Sequence, residues 1–83
     1  MPDSSEKDLM RAAARYILGE QTHTKVGGSP ERVRAFQGAV LASRALYEAL
    51  RDGDTLENIS RLLERKTRAA RAYREETGMI WPL

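Results

Sequence analysis

Eighty-three residues are enough for one domain, but near the size at which a single core gives only marginal stability, so a partner surface is a natural source of further burial. Fourteen basic side chains against twelve acidic ones leave a net charge of +2, too small an excess to imply nucleic acid by itself, although arginine dominates the basic set and the isoelectric point is about 9.3. The absence of cysteine excludes a disulfide framework, thiolate chemistry and sulfur ligation of a metal, and fits the reducing cytoplasm.

The opening Met1-Pro2-Asp3-Ser4-Ser5-Glu6 lacks a basic patch followed by an apolar run, and no membrane-length apolar stretch follows, so neither an export signal nor a membrane span is expected. Residues 1–4 read as a flexible lead. A first helix is expected from Ser5 to Leu18, capped by Ser4 or Ser5 and closed by Gly19 in the left-handed conformation. Its apolar half is Leu9, Met10, Ala12, Ala13, Tyr16 and Ile17. Residues 20–28, Glu20-Gln21-Thr22-His23-Thr24-Lys25-Val26-Gly27-Gly28, form a polar connection that is long for a compact helical domain.

The second helix has the most distinct boundary in the chain. Ser29 stands at the N-cap and Pro30 at the first helical position, where proline's missing N–H does no harm. The helix runs to Arg51, and Asp52-Gly53-Asp54 then turns the chain. A third helix from Thr55, with Asp54 or Thr55 as its cap and Glu57 in its first turn, continues to Thr77 and is closed by Gly78. So short a link makes helices two and three an antiparallel hairpin. Met79-Ile80-Trp81-Pro82-Leu83 follow as an apolar tail. No stretch shows strand alternation, and the fold class expected is all-α: one domain over residues 1–83, a long helical hairpin crossed by the shorter N-terminal helix.

At 100° per residue the second helix is apolar around roughly two thirds of its circumference, more than one neighbour covers. One side carries small residues, Gly38, Ala42, Ala45 and Ala49, which admit a close backbone approach. The other carries Phe36, Val40, Leu46, Tyr47 and Leu50. The helix is therefore expected to be clasped on two sides, by its own chain and by a second copy in a symmetric dimer. The tail has two placements open to it: folded back past Gly78 to close the core, or projecting Trp81 as an interface anchor. The protein-binding residues expected are Gly38, Ala42, Ala45, Tyr47 and Trp81.

The basic residues carry the rival reading, a nucleic-acid-binding regulator. Lys7, Arg11 and Arg15 form a row at i,i+4 spacing on the first helix, and Arg61, Arg65 and Arg68 lie on the third. Against it, Glu57 with Arg61, Glu64 with Arg68, and Arg71 with Glu75 are spaced to neutralise one another. Helices two and three are not a helix-turn-helix either, because Glu64 to Thr77 contains no turn residue.

The remaining features are chemically thin. His23 is a single histidine in a polar loop and makes no metal site alone. Lys25, Gly27, Gly28 and Ser29 place amides and a cation at a helix N-terminus, but without P-loop spacing. Lys66 interrupts the apolar stripe of Leu56, Ile59, Leu62, Leu63, Ala69, Ala70 and Tyr73, and must snorkel outward or meet a carboxylate. No metal, cofactor or catalytic residue is expected. The function expected is a non-enzymatic, cytoplasmic, self-associating interaction module whose partner is another protein.

Overall fold

A computed structural model describes residues 4–20 and 28–83. The expectations made for residues 1–3 and for the loop around His23, Lys25 and Gly27 lie outside the described residues. The chain is all-α: α1 spans Ser4–Ile17, α2 Pro30–Arg51 and α3 Leu56–Thr77. Ser4 already belongs to α1.

The cap expected at Ser4 or Ser5 is corrected, since both residues lie within α1, but the ends of α2 and α3 are built by the residues that mark them in the sequence. Ser29 Oγ accepts a hydrogen bond from the Arg32 N–H at 3.3 Å, with Pro30 next in the chain, and so satisfies one of the orphan donors of the first turn. Thr55 Oγ1 does the same for the Asn58 N–H at 3.2 Å, while Asp54 Oδ1 accepts from the Thr55 N–H at 2.7 Å and its other oxygen from the Asn58 side chain. At the far end of α2, Gly53 takes φ +67°, and the Asp54 N–H reaches back to the Ala49 carbonyl at 3.0 Å. This is a Schellman closure, and it leaves only Asp52 to Thr55 between the two long helices. Gly78, at φ +74°, closes α3 with its N–H on the Arg74 carbonyl at 2.8 Å.

The two long helices pack along each other as the antiparallel hairpin, and α1 packs on α2 without a close backbone approach to α3. The core therefore lies toward one end of an elongated molecule measuring 41 × 26 × 21 Å. There, Ala13 and Ile17 of α1, Phe36, Ala39 and Val40 of α2, Tyr73 of α3 and Trp81 of the tail form one buried cluster, with Leu9, Met10, Tyr16, Tyr47, Met79 and Leu83 packed around it. Three rings hold its centre: Trp81 meets Phe36 and Tyr73 edge-on, at centroid distances of 5.8 Å and 5.1 Å. The Trp81 indole N–H donates to Ser43 Oγ at 2.9 Å, and both residues are buried. Of the two placements open to the tail, the chain takes the first. It folds past Gly78 and closes the core.

Leu46 and Ala49 are buried, and α1 meets α2 around Phe36 to Arg44, where the Arg44 guanidinium sits 4.4 Å from the centre of the Tyr16 ring. Leu50 and Leu56 at the turn end are 56% and 83% exposed, and Leu63 two turns further along α3 is 52% exposed.

Candidate functional site

The residues expected to bind protein do not form one accessible surface. Trp81 and Ala42 are 7% and 1% exposed and so are covered by the chain itself, while Gly38, Ala45 and Tyr47 are half-buried. The small-residue stripe of α2 lies roughly opposite Arg44, the residue that meets α1, so α3 is the element that covers Ala42 and Ala49. That close approach does not extend to Gly38, where an added Cβ meets nothing within 4 Å. Within the chain the close pairing of α2 with α3 passes over Ala42 and Ala49 and leaves the Gly38 position open. Leu50 is likewise left open within the chain. It belongs to the large apolar side of α2, but no third helix reaches it, and it stays exposed.

What the chain does present is a row on the outer flank of α3. Leu56 and Leu63 are one heptad apart, within 20° of each other on the helical wheel, and both face solvent. Ser60 and Thr67 stand between and beyond them on the same flank, and half-buried Ala70, packed on its inner side against the core cluster, lies at its edge. The Thr67 hydroxyl is turned back onto the Leu63 carbonyl at 3.0 Å, which leaves its methyl group outward. The flank is therefore lined by two leucines and short side chains, a shape that another helix fits. Ile80 is 75% exposed at the opposite end of α3, just past Gly78.

The charged residues follow a different pattern from the one their spacing suggests. Of the three i,i+4 pairs expected on α3, only Glu57 with Arg61 comes within 4.0 Å, at 3.9 Å. Glu64 with Arg68 and Arg71 with Glu75 do not. Exposed pairs gain little Coulomb energy in water and lose side-chain freedom on closing, so correct spacing alone does not form them. Arg65, Arg68, Arg71 and Arg74 are exposed and have no carboxylate within ion-pair distance among the described residues.

On α1, the Lys7, Arg11 and Arg15 row is exposed, but Arg15 Nε is held by Glu20 at 2.5 Å, a partner from beyond the helix end that helical spacing does not show. The two basic sets sit on helices that pack separately on α2, so the fold does not merge them through an α1–α3 contact. Arg44 Nε bonds Glu48 Oε1 at 2.9 Å, and that hydrogen bond, followed by one to Tyr16, raises its pKa above the usual guanidinium value. Lys66 is half-buried with no carboxylate within 4 Å among the described residues, which fits the snorkelling placement.

Among the described residues no three His, Cys, Asp or Glu side chains gather into a group that could hold a metal ion. No helix there is long and apolar enough to cross a membrane. The residue that sequence reasoning missed is Ser43. The signal was present: it is the one hydroxyl on the buried arc of α2, and a buried hydroxyl requires a partner. The chain matches no protein-family model, and neither a curated protein nor a solved structure matches it.

Proposed function

We propose that this chain is a small non-enzymatic interaction module, an adaptor, inhibitor or accessory subunit of the cytoplasm, that engages another protein through the turn end of its helical hairpin. The observation that carries the reading is the exposed apolar set Leu50, Leu56 and Leu63 on the hairpin. Leucines scattered singly over a surface are ordinary, but two of these three share one flank of one helix. A helical flank with apolar residues at i and i+7 is the half of a helix–helix contact that a partner completes.

Site-specific photo-crosslinking tests this. A photoreactive side chain at position 56 or 63 should give nuclease-resistant protein adducts in cell extract, and one at exposed Gln37 should not. The substitution Leu56→Glu with Leu63→Glu should remove the capture of that partner without lowering the melting temperature, since both positions already face water. Equal adduct formation at all three positions would refute the surface.

A second reading rests on the four arginines of α3 that face solvent without an ion pair among the described residues. Their guanidinium groups suit phosphate oxygens. If the chain is a nucleic-acid-binding regulator, titration into labelled duplex and single-stranded DNA should give micromolar or tighter affinity that falls steeply between two salt concentrations. Reversing Arg65 and Arg68 to glutamate should then reduce both affinity and salt slope. No binding at low salt leaves the protein partner as the sole reading.

A further inference from the structure

We propose that the outer flank of α3 is a self-recognition surface on which a second copy of this chain docks α3 against α3 in antiparallel fashion, with Leu63 on the two-fold axis. This inference rests on the interaction-module reading and names one partner for its surface.

The charge order along α3 selects this occupant. Asp52, Asp54 and Glu57 make the hairpin turn and first helical turn acidic, whereas Arg65, Lys66, Arg68, Arg71 and Arg74 make the segment from 65 to 74 wholly basic in its charged residues. Between them, Arg61 and Glu64 cancel. A parallel pairing sets acid on acid and arginine on arginine at every level, which like-charge repulsion disfavours. An antiparallel pairing about Leu63 does the reverse. It lays Leu63 on Leu63 and Leu56 on Ala70 of the second copy, a large residue on a small one at both ends.

The same register carries Glu57 beside Arg68 of the second copy, and it brings the acidic turn that holds Asp52 and Asp54 to the arginine-bearing end of the second α3. The two-fold axis then repeats each of these approaches. Moving the axis by one heptad destroys the match. Centred on Leu56 it brings the acidic ends together, and centred on Ala70 it brings the arginines together. Hydrophobic shape and charge therefore point to one register.

The surface is also available. Leu56 and Leu63 are exposed, and the arginines of segment 65–74 have no carboxylate within ion-pair distance among the described residues. The short side chains of Ser60 and Thr67 keep the flank low enough for a second helix to approach.

The chain contains no cysteine, so single-cysteine variants report the register directly. Sedimentation of the unmodified protein should show twice the 9.3 kDa chain mass, with the dimer weakening as salt rises. Leu63→Cys should oxidise to a covalent dimer. Leu56→Cys and Ala70→Cys should not do so alone, but should crosslink when mixed with each other. Arg68→Glu should weaken association by roughly tenfold, and adding Glu57→Arg to it should restore most of the loss.

A monomer at every concentration overturns the proposal, as does a dimer in which Leu56→Cys crosslinks to itself while Leu63→Cys does not. Leu63→Glu, expected to keep the parent's helical circular dichroism and to melt at the temperature of the dilute, dissociated parent, keeps loss of fold apart from loss of contact. A monomer whose position 56 still crosslinks to a different protein would defeat self-recognition and leave the module reading standing.

Discussion

Replacing Trp81 with alanine is expected to lower folding stability by about 3–5 kcal/mol, the cost of emptying a large aromatic site in a core. For a domain whose total stability is of order 5–15 kcal/mol this leaves little, and the melting temperature should fall by about 4–8 °C for each kcal/mol lost. The size of the effect follows from what the ring touches. Trp81 meets Phe36 of α2 and Tyr73 of α3 edge-on, and it belongs to the same buried cluster as Ala13 and Ile17 of α1. One side chain from the tail thus belongs to a cluster built from all three helices.

The hydrogen bond to Ser43 adds a separable part. Ser43→Ala leaves the buried indole N–H without its acceptor and should cost about 1–3 kcal/mol. Trp81→Phe keeps much of the ring contact but removes the donor. The double variant should be more stable than the sum of the two losses allows, because each change removes the need for the other group. Urea unfolding followed by the emission of the only tryptophan in the parent and in Ser43→Ala, and by circular dichroism in the variants that lack it, measures the cycle. A loss of less than 1 kcal/mol for Trp81→Ala would show that the tail is not part of the core.

The helix ends were legible because their signals are local. Ser29 before Pro30, Thr55 before Leu56, and glycine at 19, 53 and 78 act through hydrogen bonds spanning three to five residues, so a short window of sequence contains the whole device. The tail was not legible in this way, since its placement depends on a bond to a serine 38 residues earlier, and no periodicity links the two. Helical wheels also misled at Leu50, Leu56 and Leu63. A wheel shows which residues are apolar but not where a neighbouring helix stops, and α1 engages the core end of α2 rather than its turn end. The ion pairs failed for a related reason. Spacing gives the opportunity for contact, but at an exposed surface side-chain entropy and hydration decide whether it is used, and Arg15 found Glu20 beyond the end of its helix instead.

Gly38 and Ala42, four residues apart on α2, should respond to enlargement in opposite directions. Both belong to the small-residue stripe, and sequence alone gives both the same purpose, a close backbone approach. The structure separates them. Ala42 is 1% exposed beneath α3, so Ala42→Leu must force the hairpin apart or drive side chains from their rotamers, at a cost of about 1–3 kcal/mol. At Gly38 an added methyl meets nothing within 4 Å, and the backbone there is helical with no positive φ. Gly38→Ala removes the conformational freedom of glycine from the unfolded chain and should raise stability by about 1 kcal/mol.

Paired denaturation curves of the two variants measure the packing of α2 on α3 without reference to any partner. Stabilisation at 38 with destabilisation at 42 places the close approach where Ala42 and Ala49 lie. Destabilisation by Gly38→Ala would mean that another surface presses on the glycine. If its size rose with protein concentration, that surface would belong to a second copy on α2, in conflict with self-recognition through Leu63 on α3.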